Sequence, residues 1–171
     1  MEFSDVLARR RSVRHFNTRL VVSDADIDAL LGAATTAPTA GNIQPWRFFV
    51  VRSTEGRERL AAALSQRWAA AAPVVIVVAV DPRPSAARYG DRGEYLYCLQ
   101  DTAAAVQTIL LAAVDRGLAS CWIGAFNDAA VAEAIGAVAP VTPVAVLPIG
   151  HPAESGGRPA RRPLDEVTTW L

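Results

Sequence analysis

Lysine is absent from the chain: all 17 basic residues among its 171 are arginine. That excludes a Schiff base on a lysine amine and a Walker-type phosphate lysine. Cysteine is scarce as well. Cys98 and Cys121 form no CxxC pair and offer no disulfide framework, so they read as two buried thiols in a reducing compartment. His15 and His151 are the only histidines, and neither has the spacing of a metal ligand. There is no G-x-S-x-G elbow, no G-x-G-x-x-G and no P-loop. Long apolar runs are missing too. Ala69–Val80 is broken by Pro73, Thr102–Val114 is bracketed by Asp101 and Asp115, and both fall short of the ~20 residues that span a bilayer. The opening MEFSDVLARRR has no apolar core, so no signal peptide is expected and the reading is cytoplasmic. An excess of either charge is also lacking. Net charge is zero and the pI is near 6.7, which argues against general binding to nucleic acid or to an anionic membrane.

What is present describes a folded protein. Apolar residues make up 51% and charged residues 20%, and 171 residues suit a single domain over 1–171 that needs no disulfide or metal. A short helix is expected over Phe3–Arg10. A second starts at Ser23, with Asp26 placed for a capping box, and runs to about Ala34 with Ile27, Leu30 and Leu31 on one face. Thr35–Pro45 reads as a loop, Arg47–Arg52 as a strand and Thr54–Ala70 as an alanine-rich helix. Val74–Val80 is a β-branched run, so a strand buried on both faces. Asp81–Gly93, with two prolines and two glycines, reads as a long surface loop and a candidate lid. Glu94–Arg116 is the longest expected helix, stopped by Gly117. It is apolar nearly all round, which calls for a second subunit over part of it. Ala119–Ile123 follows as a short strand ending at Gly124. Asn127 caps a helix over Asp128–Ile135, Pro143–Ile149 is a strand, and Val167–Leu171 is a candidate edge strand. The irregular order of elements favours an α+β layer fold over a doubly wound sheet.

Four segments carry polar chemistry, each with a plainer alternative. Arg10, Arg11, Ser12 and Arg14 set three guanidiniums and a hydroxyl within five residues, enough to surround a phosphate, or simply a solvated basic helix end. Pro38, Thr39, Ala40, Asn42 and Gln44 lie in a loop whose amides and hydroxyls suit the edge of a heteroaromatic ring, or an ordinary loop anchored by Trp46. Ser120–Phe126 holds Gly124, where a flat ligand can approach the backbone, or a strand end with Cys121 and Trp122 in the core. Arg158, Arg161 and Arg162 add a cationic tail. If the two chain ends meet, their arginines form one anion pocket.

In this order and spacing, RRSVRHF, APTAGNIQPWRFFVV, APVVIVV, YLYCLQDTAAAVQTILLAAVDRGLASCWIGAF and PIGHP followed by RPARRPLDEV resemble the FMN-dependent nitroreductase family. The resemblance implies a nitroreductase-like α/β sandwich with a mixed, mostly antiparallel sheet flanked by helices. It also implies an entwined homodimer with two FMN sites at the interface. By position, Arg10, Ser12 and Arg161 resemble the phosphate contacts of FMN, Arg11 the ribityl-side contact, and Arg14 the cation at the pyrimidine edge. Pro38, Thr39, Ala40 and Asn42 resemble a loop covering the flavin of the other subunit. Ile123 and Gly124 resemble the segment facing flavin N5, and Arg67, or its neighbour Gln66, resembles a polar ring contact. Arg158 and Arg162 are weaker candidates for the phosphate.

The implied activity is reduction of a nitroaromatic, quinone or other small acceptor by NAD(P)H in a ping-pong cycle. Chemistry resides on the flavin, with no catalytic side chain and no metal. The resemblance leaves two alternatives open: a flavin-cleaving or dehalogenating enzyme, and a flavin-binding sensor or carrier without turnover. Three departures stand out. The chain is short and lacks a helical insertion over the site; Thr39 and Ala40 stand where serine is common; His151 stands where tyrosine is common.

Overall fold

The computed structural model describes residues 1–153, 155–157 and 159–171. Arg158, one of the candidate phosphate ligands, lies outside the described residues. In chain order the elements are α1 (Phe3–Arg9), α2 (Asp24–Ala34), β1 (Trp46–Val51), α3 (Thr54–Ala62), β2 (Val74–Val80), α4 (Arg83–Arg92), α5 (Cys98–Asp115), β3 (Ala119–Ser120), α6 (Asp128–Ile135) and β4 (Thr142–Gly150). The strands form one sheet in the order β1-β2-β4-β3, with every neighbouring pair antiparallel. Among the described residues the only parallel pairing is an isolated bridge between Ser12 and Ser120.

The alternation of side chains along a strand builds the sandwich. On β2, Val74, Ile76 and Val78 enter a core with Leu30 of α2 and Val106 and Ile109 of α5. Val75 and Val77 point the other way, onto Leu60 of α3 and Val131 of α6. β4 repeats the division, with Ala145, Leu147 and Ile149 toward α5 and Val146 toward α6. All seven residues of β2 are buried, as its β-branched run predicts. Local capping signals also hold. Ser23 and Asp26 close the capping box of α2, and the Asn127 side chain accepts from Ala130 N–H at the start of α6.

Several elements differ from the sequence expectation. Asp81–Gly93 is not a loop. Pro82 and Pro84 sit at the start of α4, where a missing N–H costs nothing, and the helix runs on to a kink at left-handed Gly90. A π-helical turn, Gly93–Tyr97, then joins it to α5. The expected helix Thr54–Ala70 is two pieces, α3 and a 3-10 turn over Arg67–Ala71, because Leu64 leaves the helix to bridge Phe126. The strand expected over Ala119–Ile123 shortens to Ala119–Ser120, with Ile123 reappearing as a bridge to Val146. The tail forms no strand at Val167–Leu171. It makes a 3-10 turn at Leu164–Glu166 and continues largely exposed.

The continuous helical run Arg83–Asp115 is long enough, and over one stretch apolar enough, to cross a bilayer by length and composition. Its apolar residues instead serve the core: Ala105, Val106, Ile109, Leu110 and Ala113 are buried with α2 and the sheet.

Candidate functional site

The outer face of α5 is not covered within the chain. Leu99 is 44% exposed and Gln107 is exposed, with Ala103 and Leu111 half-buried on the same face. Along this face lie two cavities with Trp122, 40% exposed, as their shared wall. One, of about 370 Å³, is lined by Leu99, Ala103, Trp122, Gly124, Phe126 and Pro143 among others. The other, of about 550 Å³, is lined by Leu7, Arg10, Gln107, Leu111 and Trp122. The two cavities meet at Trp122, with Arg10 lining one and Gly124 the other.

The backbone around Gly124 is firmly set. Ile123 is buried and exchanges two hydrogen bonds with Val146, its N–H donating at 3.0 Å and its carbonyl accepting at 2.9 Å. Gly124 is exposed, and its φ is not in the left-handed region. A Cβ built there would meet only the Trp122 ring, at 3.7 Å. Neither conformation nor internal packing requires glycine at this position. What its missing Cβ leaves open is a flat approach to the backbone from the groove.

The arginine strap begins at the end of α1. Val13 N–H donates to Ser120 O at 3.0 Å, which fixes Ser12 beside Ser120. Further on, Asn17 N–H donates to His151 O at 2.9 Å and Ala153 N–H to His15 O at 3.0 Å. The N-terminal strap is thus laid against the segment that follows β4. The tail returns to it: a Cβ on Gly156 would sit 2.9 Å from the Arg11 guanidinium. The structure separates the first two arginines. Arg10 lines the α5 groove, whereas Arg11 lines cavities with Arg9 and Pro152 on the other side of α1. Arg14, Arg67 and Arg161 are exposed, and among the described residues no hydrogen bond or ion pair holds them.

The turn that follows α2 is built differently. Gly41, Asn42 and Gln44 are all left-handed, with φ of 59°, 57° and 54°. Gln44 Nε2 donates to Asn42 Oδ1 at 3.1 Å, and Gln44 N–H to Thr39 Oγ1 at 3.3 Å. Two side chains grip the turn from outside. Asp101 of α5 accepts from Ala40 N–H through both carboxylate oxygens, at 3.1 and 3.2 Å. Arg88 of α4 donates through Nη1 to Gly41 O at 3.0 Å. Burial pushes the Asp101 carboxyl above its ordinary range, with the Ala40 N–H pulling it back. The Arg88 guanidinium lies over the Tyr89 ring at 5.4 Å, and Tyr89 meets Tyr97 edge-on at 5.3 Å. Cys98 and Cys121 are buried and free, and burial pushes the Cys98 thiol up, as suits an inert residue.

The nitroreductase family model matches residues 7–71 and 61–151, which together take in every strand and all of the groove. The chain belongs to the nitroreductase family. A protein of Archaeoglobus fulgidus with the provisional name NADH dehydrogenase/NAD(P)H nitroreductase is 35% identical over 150 residues, covering 85% of this chain and 82% of its own. YdgI of Bacillus subtilis, provisionally an NAD(P)H nitroreductase, is 29% identical over 206 residues, covering 99% and 97%. That alignment is longer than this chain, so YdgI carries segments that this chain lacks. A solved Exiguobacterium sibiricum protein, provisionally named a nitroreductase and in complex with FMN, superposes with a TM-score of 0.90 at 26% identity, covering 100% of this chain and 98% of its own.

The sequence alone does not single out Asp101 as a site residue, and it places Arg88 in the candidate lid without its hold on the Thr39–Gln44 turn. Asp101 registers in sequence only as a bracket to an apolar run, and its partner Ala40 lies 61 residues away. Arg88 lay in a segment read as loop. Of the pair Gln66 and Arg67, Gln66 has its Oε1 buried without a partner among the described residues, as does the Ser120 hydroxyl beside Ser12.

Proposed function

We propose that this chain is an FMN-dependent NAD(P)H oxidoreductase that reduces a nitroaromatic, a quinone or a similar small acceptor in a ping-pong cycle. It works as a cytoplasmic homodimer, single-domain in each protomer, with two FMN sites at the interface. The observation that carries the reading is Gly124, exposed on a cavity that shares Trp122 with the cavity lined by Arg10, at a position where nothing among the described residues calls for glycine. The buried, unpartnered Gln66 Oε1 and Ser120 Oγ fit the same reading, since a bound flavin offers the donors and acceptors such atoms lack.

When bound, FMN supplies hydride acceptance from a nicotinamide and electron delivery to the second substrate. The protein's own contribution is binding and electrostatics. Arg10, Ser12 and Arg161 neutralise the phosphate dianion, and Arg11 holds the ribityl side. Arg14 sits at the pyrimidine edge, where a fixed cation favours negative charge on the reduced ring. Ile123, locked to Val146, holds the Gly124 backbone toward N5, and Gln66 or Arg67 supplies a further polar contact to the ring. Pro38, Thr39, Ala40 and Asn42 cover the flavin of the other protomer. A second copy also accounts for the apolar surface this chain leaves open, including Leu99, Trp122 and the tail residues Leu164, Val167 and Trp170.

The test is the absorption spectrum of purified or FMN-reconstituted protein, followed by anaerobic titration with NADH and with NADPH and steady-state turnover of a nitroaromatic and a quinone. Failure to retain added FMN overturns the reading. Bound flavin without turnover points to a sensor or carrier, and loss of the chromophore under oxygen points to flavin cleavage. A stable monomer on size-exclusion chromatography removes the shared site.

A further inference from the structure

The turn Thr39–Gln44 concentrates costs that the rest of the fold avoids. Asn42 and Gln44 are non-glycine residues in the left-handed region, which asparagine tolerates but which glutamine keeps only where its surroundings enforce it. Beside them is Asp101, a carboxylate 7% exposed with no arginine or histidine ion-paired to it among the described residues. A buried charge without a counter-charge is normally eliminated from a core. Here its two oxygens are both spent on one backbone N–H, that of Ala40. Two residues of opposite charge, from successive helices, hold the same turn, because Arg88 takes the Gly41 carbonyl. The fit at Gly41 is close: a Cβ there would lie 2.6 Å from both Arg88 Nη1 and Tyr89 Oη. Coincidence of a strained turn with an uncompensated buried acid is the kind of local conflict a fold keeps for function.

We infer that Asp101 and Arg88 are positioning residues that hold the Thr39–Gln44 turn in its flavin-covering conformation before any flavin arrives, and that they tie α4 to that turn as a fixed wall of the site. The inference rests on the FMN reading above and adds what enforces the turn. Asp101 acts as a hydrogen-bond acceptor, so the neutral amide serves in its place. Arg88 acts at the surface end of the same clamp. Neither side chain needs to touch the flavin, because what they supply is a cover already in shape, which lowers the ordering cost of binding.

The experiment uses the full chain with Asp101→Leu, Asp101→Asn and Arg88→Ala. Amide hydrogen exchange over residues 39–44 is measured without FMN, and FMN affinity by calorimetry. In Asp101→Leu, exchange in the turn accelerates and FMN binds at least about tenfold more weakly, whereas Asp101→Asn stays within about threefold of the parent. Arg88→Ala, an exposed substitution that leaves the core intact, accelerates exchange at Gly41 and Asn42 and weakens FMN about threefold. Unchanged exchange and affinity in Asp101→Leu and Arg88→Ala overturn the clamp, and an Asp101→Asn as damaged as Asp101→Leu overturns the acceptor role. If Asp101→Leu fails to fold, Arg88→Ala decides alone. If the parent binds no FMN, the functional reading falls, while exchange in the turn still judges the clamp.

Discussion

The arginine strap at residues 10–14 and the turn at residues 39–44 are the two halves of the candidate flavin cradle, and they are built on opposite principles. The strap is laid in place through backbone bonds, by Val13 on Ser120 and by the pairing of His15–Asn17 with the segment after β4. Its side chains diverge, Arg10 into the α5 groove and Arg11 toward the tail. The turn is stitched internally by Gln44 and gripped externally by Asp101 and Arg88. Long guanidinium side chains can gather on a phosphate at the moment of binding, because the anion itself supplies the attraction. A flat, largely uncharged ring supplies no such pull, so the surface that covers it has to be shaped in advance. Charge can be rearranged by the ligand that it binds, and shape cannot.

The largest effect that would break this comparison lies on the strap side. Arg10→Ala combined with Arg161→Ala is expected to weaken FMN by at least about 100-fold, at roughly 1.5–3 kcal/mol for each charge-assisted contact, while the melting temperature of the flavin-free protein stays put. Calorimetric titration measures the first and circular dichroism the second; unchanged flavin affinity would remove both arginines from the site. Next come the two glycines. Gly41→Ala is expected to cost about 1–2 kcal/mol from its left-handed φ, read by chemical denaturation, and to push the Arg88 guanidinium and the Tyr89 hydroxyl aside. Gly124→Ala should leave stability within about 0.5 kcal/mol, since its new Cβ meets only ordinary contact, yet weaken flavin binding about tenfold. Equal stability losses at the two positions would erase the contrast between a glycine the fold needs and one the ligand needs.

A smaller effect is expected at Arg14. Arg14→Ala should lower the midpoint potential of bound flavin by some ~30 mV, measured by dye-coupled reduction; an unmoved potential would assign that guanidinium to solvent. The smallest is a pH effect at the base of the turn, where Asp81 N–H donates to Pro45 O at 2.8 Å. The Arg83 guanidinium, 2.7 Å from the Asp81 carboxylate, holds its carboxyl below the usual range, against the opposing pull of burial. A carboxyl lowered in the fold contributes stability that is fully present above its unfolded value, about 3.9, and is lost as pH falls through the lower folded value. Melting temperatures between about pH 5 and pH 2 should therefore fall more steeply for the parent than for Asp81→Asn. Parallel curves would show that the ion pair adds nothing.

Elements governed by local signals could be read without coordinates. Val74–Val80 and Asp128–Ile135 fall where the sequence puts them because a β-branched run and an asparagine cap act within a few residues. The segments misread are those in which a local signal has two meanings. Pro82 and Pro84 look like breakers and begin α4 instead, and the alanines after Ala62 look helical while Leu64 is claimed by Phe126. The antiparallel sheet buried on both faces also runs against the habit of such sheets to wet one side, which only the helices on each face explain. In the candidate site, charge and glycine were visible one residue at a time. Asp101 was not, because its meaning depends on a peptide unit that the chain brings back from 61 residues earlier.

Trp122 stands as the wall between the two cavities, in half-open contact with both. An indole in that place is an intrinsic fluorophore at the centre of the groove, whereas Trp46 is shut in the core. Its emission will be quenched by any yellow chromophore lying alongside Gly124, and it will brighten again when that chromophore departs. Compared with Trp122→Phe, which leaves the emission of the other three tryptophans as background, that signal tests whether flavin occupies the site, with no added label.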